Sequence, residues 1–197
     1  MIHLVRHGET AANRARLALG HADPELTERG RLQAAALARV FAGVEIARVV
    51  SSPLRRAIET ATAIASVVGV DVEVESRLVE MDYGDWDERS FADIPAEALA
   101  QWRRDASIAP PNGESLDAVG VRVAEWCAPI VDGPPIVAVS HVSPIKAAAI
   151  WAMDADPLLA WRMHLDVASI TRIGAPQRGP CLLGFNDTAH LGDQRTV

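Results

Sequence analysis

Hydrophobic and polar residues alternate along the chain with two different periods, which predict short strands and helices in turn. Six strands are predicted, over residues 2–6, 46–51, 70–74, 136–140, 167–173 and 181–185. Apolar residues recur at helical spacing in four places, after Thr27, after Pro53, over residues 114–131 and over residues 143–153. Strands that alternate with helices in this way are typical of an α/β layered sheet.

Local signals predict where the helices begin and end. Thr27 and Ser143 are expected N-caps, because their side chains can accept a hydrogen bond from the first turn. Pro53 and Pro144 suit the first helical turn, where a missing N–H costs nothing. Gly69 suits the end of the second helix, since glycine readily adopts the left-handed conformation.

Residues 84–113 break the alternating pattern. They are rich in Asp, Trp, Pro and Asn and show no long period, which predicts an irregular, lid-like excursion with one short helix near residues 96–104. A chain of 197 residues is long enough for one domain with a sizeable core. We therefore predict one domain over residues 1–197 that carries this excursion.

Composition narrows the class of protein. Hydrophobic residues make up 49%, which argues against disorder, and the net charge of −7 argues against nucleic-acid or anionic-membrane partners. The N-terminus has no basic region followed by a long apolar run, so a cytoplasmic protein is expected. Cys127 and Cys181 lack the spacing of metal ligands and are expected to be buried, reduced thiols.

Chemically active side chains follow several of the predicted strands. The first strand ends at Arg6 and His7, the fourth ends at His141, and the second leads into a helix that carries Arg56 in its first turn. Ligands of α/β sheets bind at the carboxyl ends of the strands, so these residues should converge at one edge. A cation in the first turn of a helix opposes the helix dipole, which indicates that Arg56 has an anionic partner.

The expected cluster suits the transfer of a phosphoryl group. A neutral imidazole is a nucleophile, and arginine matches phosphate oxygens in shape and charge. Phosphoryl transfer needs little beyond positioning and charge neutralisation, so neither a metal nor another cofactor is required. An acid must still protonate the leaving oxygen. Glu80, after the third strand, is the first candidate, and Asp82 and Glu9 are weaker ones.

These motifs resemble those of the histidine phosphatase superfamily, in the branch that includes the cofactor-dependent phosphoglycerate mutases. The resemblance rests on residues 4–10 (LVRHGET), 51–61 (SSPLRRAIETA), 78–86 (LVEMDYGDW) and 139–146 (VSHVSPIK), with further matches at 20–30 and 111–115. It implies a three-layer α/β/α sandwich whose mostly parallel sheet has one antiparallel strand. Residues 141–146, 164–169 and 186–191 also resemble a ribazole-phosphate phosphatase-like subgroup.

The resemblance implies a role for each matching residue. His7 would be the phosphorylated nucleophile and Glu80 the proton donor. The phosphoryl group would be bound by Arg6, Arg56 and His141, with Asn13 assisting. His21 could reach the substrate.

One position departs from the family pattern. The residue after the second histidine is usually glycine, but here it is Val142. Valine disfavours positive φ, so we expect an ordinary backbone conformation there, with an N–H that could still face the phosphate.

Three functions agree with these motifs, and hydrolysis of a small phosphorylated metabolite is favoured. A mutase would have to retain a bisphosphate, whereas the excursion carries few basic residues, namely Arg89, Arg103 and Arg104. A non-catalytic phospho-ligand binding domain is disfavoured because every expected catalytic residue type is present. A homodimer is compatible with exposed apolar surface on the predicted helices.

Overall fold

A mixed sheet forms the centre of the computed structural model, which describes residues 1–176 and 179–195. In these residues the sheet has six strands in the order β3-β2-β4-β1-β5-β6. The strands are β1 Ile2–Arg6, β2 Arg48–Ser51, β3 Val72–Val74, β4 Ile136–Ser140, β5 Ile170–Gly174 and β6 Cys181–Asp187. β5 is antiparallel to both of its neighbours, and the other pairs are parallel. The single antiparallel strand is thus confirmed.

Helices cover both faces of the sheet. They are α1 Ala11–Arg14, α2 Glu28–Phe41, α3 Arg55–Val68, α4 Ala96–Trp102, α5 Leu116–Cys127 and α6 Val142–Met153. α2 and α3 pack on one face, and α5 and α6 pack on the other. The predicted three-layer α/β/α arrangement is confirmed.

The central strand β4 is buried on both sides, which explains its unbroken apolar sequence. Val137 and Val139 face α2 and α3, whereas Ile136 and Ala138 face α5 and α6. A strand of a parallel sheet that is covered on both faces needs apolar residues at every position. Because β1 to β4 run in the same direction, their carboxyl ends meet at one edge.

Three predicted helix starts were misplaced, those of α3, of α5 (Leu116 instead of residue 114) and of α6, whereas Thr27 and Gly69 mark helix ends as predicted. Thr27 caps α2 by accepting a hydrogen bond from Gly30, and Gly69 ends α3 in the left-handed conformation. α3 begins at Arg55 rather than at Pro53. α6 begins at Val142, so that Ser143 lies inside the helix instead of capping it.

The start of β5 was also predicted too early. It begins at Ile170, because residues 166–169 form a turn in which Ala168 has a φ of 54°. The Ala168 N–H donates to the carbonyl of His7 at 3.0 Å. The turn therefore supports the backbone at the end of β1 instead of extending the sheet.

Residues 84–113 contain short helical turns around α4 and an aromatic cluster. Trp102 is 1% exposed, and its ring lies against those of Tyr83, Trp86, Phe91 and Trp161. The excursion is thus anchored by aromatic side chains. Its role as a lid is not decided by this packing and stays a prediction.

The expectation for the cysteines was half wrong. Cys127 is buried, and burial raises the pKa of its thiol to about 12. Cys181 is exposed, because it is the first residue of the edge strand β6, whose residues are exposed or half-buried. In the described part of the chain, no helix combines the length and the apolar character that crossing a membrane requires.

Candidate active site

The end of β1 carries Arg6 and His7 to the carboxyl edge of the sheet. The His7 N–H donates to the carbonyl of Ser140 on β4 at 3.1 Å, so the backbone of His7 continues the pairing between β1 and β4. The next N–H, from Gly8, donates to the Thr60 hydroxyl of α3 at 3.1 Å. The nucleophile predicted from the sequence is therefore held by three separate elements.

A main-chain contact sets the proton position on His7. Its Nδ1 lies 2.7 Å from the carbonyl oxygen of Gly8. A carbonyl oxygen can only accept, so Nδ1 carries the proton and donates it. In the neutral imidazole this leaves the lone pair on Nε2, which makes that atom the nucleophilic one.

His141 lies beside His7, as the sequence predicted. The two rings have centroids 5.0 Å apart and planes inclined by 55°. The Nε2 atom of His141 is 2.7 Å from the Ser52 hydroxyl at the end of β2. Its Nδ1 atom is buried and has no partner among the described residues.

Both imidazoles are neutral at physiological pH. Burial, followed by the charges of Arg56 and Arg6, holds the pKa of His7 well below its ordinary value of 6.5. Burial and Arg56 act in the same direction on the pKa of His141. A buried neutral His7 keeps its lone pair available for attack.

Two arginines flank the histidines without a carboxylate partner. Arg56 is fully buried, and its fork donates to the carbonyls of Ala22 and Gly20 at 2.7 and 2.8 Å. Arg6 donates to the carbonyl of Leu165 at 2.6 Å. Within the described residues, neither guanidinium has a carboxylate within 4.0 Å, and the Nε atom of each is buried without a partner. The pair therefore has unused capacity to bind an anion.

Glu80 is buried at the N-terminus of α6. Its Oε1 accepts from the N–H groups of Met81 and Ser143 at 2.8 and 3.1 Å, and its Oε2 accepts from Val142 at 3.0 Å. This carboxylate caps the helix, which is why α6 begins before Ser143. The Val142 N–H, expected to face a phosphate, thus faces Glu80, and the backbone of Val142 is helical as expected.

The remaining predicted residues are placed as follows. Asn13 takes part in the capping box of α1 and lines a cavity beside His7. His21 is half-exposed, with Nε2 3.0 Å from the carbonyl of Glu80 and Nδ1 3.7 Å from Asp82. Arg55, which the sequence assigned to the surface, is exposed and pairs with Glu25 at 3.0 Å.

A cavity of about 290 Å³, here called the inner cavity, opens from His7 towards the aromatic cluster. Its lining includes Arg6, Glu80, Tyr83, Phe91, Trp102, Arg103, Lys146 and Trp161. A second, side cavity of about 590 Å³ shares Arg6, Asn13, Phe91 and Lys146 with it. The residue pattern did not indicate Lys146 or Trp161 as lining residues. Lys146 lay within a recognised motif, but no sequence signal brought Trp161, which lies in the helical turn Pro157–Arg162, to this cavity.

Among the described residues, no group of three or more His, Cys, Asp or Glu side chains is arranged to hold a metal ion. The site instead offers two guanidinium groups, two imidazoles and a carboxylate. Such a set can neutralise a phosphoryl group, attack it and protonate an oxygen.

Comparison with known proteins relates this chain to phosphatases. The histidine phosphatase superfamily (branch 1) matches residues 2–188. A bifunctional protein of Mycobacterium tuberculosis is 41% identical over 85% of this chain. The match covers 48% of that relative, so this chain spans about half of its length. The adenosylcobalamin/alpha-ribazole phosphatase of Escherichia coli is 34% identical, over 94% of this chain and 95% of that one. A mutant of the phosphoserine phosphatase of Entamoeba histolytica, solved in complex with phosphoserine, has a TM-score of 0.89 and 27% identity, covering 96% of this chain and 98% of that one.

Proposed function

Because the chain belongs to branch 1 of the histidine phosphatase superfamily, we propose that it hydrolyses a phosphate monoester of a small metabolite. The phosphoryl group is transferred to His7 and then to water. By their names, the relatives act on phosphate esters of alcohols as different as ribazole and serine, so the family alone does not specify the leaving group.

One observation carries this proposal. The neutral His7 presents the lone pair of its Nε2 beside Arg6 and Arg56, two guanidinium groups with no carboxylate partner among the described residues. A phosphate monoester carries about two negative charges, which these cations neutralise while the imidazole attacks. A purely structural arginine pair would instead be expected to have acidic partners.

The proposed reaction has two steps. Nε2 of His7 forms a bond to phosphorus while the ester P–O bond breaks, and a proton passes from Glu80 to the departing oxygen. In the second step water attacks phosphorus, the P–N bond breaks, and Glu80 takes up a proton from that water. Arg6, Arg56 and His141 bind the phosphoryl oxygens throughout, with Asn13 assisting and His21 at the rim of the site.

We propose that the protein works in the cytoplasm, without a metal ion and without a nucleic-acid or membrane partner. Its net charge of −7 supports the last point. Exposed apolar side chains on the helices, such as Val121, permit a homodimer.

The test is a comparison of wild type with His7→Ala on p-nitrophenyl phosphate. Loss of the nucleophile is expected to lower kcat by at least about a thousandfold while circular dichroism shows an intact fold. His3→Gln, which changes the histidine within β1 rather than the one that follows it, is the matched control and should stay active. A variant His7→Ala that keeps its activity would contradict the assignment.

Assays with phosphoglycerate, with and without 2,3-bisphosphoglycerate, separate the alternatives. Release of inorganic phosphate that resists chelators and needs no 2,3-bisphosphoglycerate supports the metal-independent phosphatase. Bisphosphate-dependent isomerisation of phosphoglycerate with little hydrolysis indicates a mutase. Binding of phosphate esters without turnover indicates a binding domain.

A further inference from the structure

Lys146 is a cation that the proposed reaction does not use. It is the only lysine in the chain and lies half-buried on α6, where it lines both the inner cavity and the side cavity. Its Nζ donates to the carbonyl of Ala160 at 3.0 Å. In the described part of the chain no carboxylate lies within 4.0 Å of Nζ. Two of its three N–H donors therefore remain for a ligand.

The position of Lys146 places it outward of the phosphoryl group. Side chains of a helix tilt towards its N-terminus, so Lys146 reaches back along α6 towards Val142. Among the described residues, Arg56 and His141 line neither cavity and His7 lines only the inner one, whereas Arg6 and Lys146 line both. Lys146 is thus placed to contact the alcohol half of a substrate whose phosphoryl group lies on His7.

The charges around the inner cavity do not balance with phosphate alone. Among the described residues, its lining holds three cations, Arg6, Arg103 and Lys146, and one carboxyl group, that of Glu80. Arg56 adds a further cation, whose charge acts on both histidines. A bound phosphate monoester supplies about two negative charges. One positive charge is left over if Glu80 is ionised, and two are left over if Glu80 carries the proton that the reaction transfers, in a protein whose net charge is −7.

We infer, resting on the proposed phosphatase function, that Lys146 binds a carboxylate on the alcohol half of the substrate. The substrate class is therefore a small phosphorylated carboxylic acid. Trp102 and Trp161 line the same cavity with apolar surface, and an ion pair shielded from water in this way is stronger than one at the surface. Burial lowers the pKa of Lys146 to about 8, and a bound carboxylate would raise it again.

The test uses two substrates that differ only at the carboxylate, 3-phosphoglycerate and glycerol 3-phosphate. For wild type, kcat/KM is expected to be at least about tenfold higher for 3-phosphoglycerate. Lys146→Met removes the ammonium but keeps much of the apolar stem, and should lower this preference at least about tenfold. Lys146→Arg keeps the charge and should retain most of the preference.

The single lysine allows a direct measurement as well. In His7→Ala labelled with isotopic lysine, one side chain reports the pKa of Lys146 by NMR. Binding of 3-phosphoglycerate should raise that pKa more than binding of glycerol 3-phosphate does.

The outcomes separate this inference from the proposed function. Equal wild-type rates for the two substrates, or equal losses for both in Lys146→Met, would overturn the role of Lys146 while hydrolysis of p-nitrophenyl phosphate upholds the phosphatase. If Lys146→Met does not fold, the wild-type preference and the NMR shift still decide the question. Absence of any hydrolysis by wild type overturns both proposals.

Discussion

At the scale of single residues, His7 owes its expected reactivity to its neighbours. The sequence predicted its place at the end of β1 and its proximity to Arg56 and His141. It could not predict that the Gly8 carbonyl fixes the proton on Nδ1, because that contact depends on a turn geometry that no residue pattern encodes. Nor could it reveal that Glu80 accepts three main-chain hydrogen bonds.

Glu80 is predicted to act as the proton donor, and Glu80→Gln tests this role. An amide cannot supply a carboxyl proton, so kcat/KM for an alkyl phosphate should fall by about a hundredfold to ten-thousandfold. p-Nitrophenolate departs without a proton, so p-nitrophenyl phosphate should lose much less. The measurement is the ratio of the two losses, with circular dichroism as a check on the cap of α6.

Glu9→Gln is the matched control for Glu80. Burial would raise the pKa of the Glu9 carboxyl, but hydrogen bonds from Arg14 and Thr27 outweigh burial and lower it. Among the described residues, Glu9 lines neither the inner cavity nor the side cavity. Its variant should therefore not alter the dependence on the leaving group. An equal loss on both substrates for Glu80→Gln would reject Glu80 as the acid.

At the scale of elements, sequence patterns predicted the order of strands and helices well. All six strands and the main helices exist, because their apolar periods match burial on one or both faces. The incorrectly predicted starts of α6 and β5 depend on contacts with residues that are distant in the sequence. α6 begins early because Glu80, about sixty residues before it in the chain, takes the place of a Ser143 cap. β5 begins late because the Ala168 turn pairs with His7.

The contact between the β1–α1 loop and α2 leads to a prediction for Gly30. A Cβ at Gly30 would lie 2.2 Å from the carbonyl oxygen of Glu9, in the loop that holds His7. Gly30→Ala must therefore displace this loop. We expect a loss of about 1–3 kcal/mol in the free energy of unfolding and a lower kcat, measured by urea titration and phosphate release.

Gly120→Ala in α5 is the control for Gly30→Ala, because both variants replace a glycine that lies within a helix. Apart from its chain neighbours and the backbone of its own helix, no atom of the described residues lies within 4 Å of a Cβ built there. Gly120→Ala should therefore raise the free energy of unfolding by about 0.5–1 kcal/mol through its helix propensity. If Gly30→Ala also stabilised the protein, that result would contradict the close contact between Gly30 and the carbonyl of Glu9.

At the scale of the whole molecule, the site depends on separate parts of the chain. The sequence predicted this convergence, since parallel strands bring their carboxyl ends to one edge. It did not predict that Trp161 joins Trp102 at the cavity, because these two residues meet only through tertiary packing. Residue spacing in the excursion therefore held no signal for the substrate class, which follows here from the charges around Lys146.

Buried neutral histidines also make the stability of the whole molecule depend on pH. Burial, aided by Arg172 and the N-terminal charge, lowers the pKa of His3 to about 4 in the folded state, against 6.5 for an ordinary histidine. The unfolded chain then binds more protons than the folded one between pH 6.5 and 4. The stabilisation is complete above pH 6.5 and is lost as the pH falls through this window. The lowered pKa values of His7 and His141 act with the same sign.

His3→Gln isolates one of these contributions, because glutamine stays neutral at every pH in the window. Between pH 7 and pH 5 the variant should lose less unfolding free energy than wild type, by on the order of 1 kcal/mol after allowance for solvent screening. Urea titrations at the two pH values give this difference. If protonation of His3 stabilised the fold, wild type would instead lose less unfolding free energy than the variant between pH 7 and pH 5. That result would contradict the prediction. Because His3 lies in β1 away from the inner cavity, the change in stability can be measured without removing a group of the site.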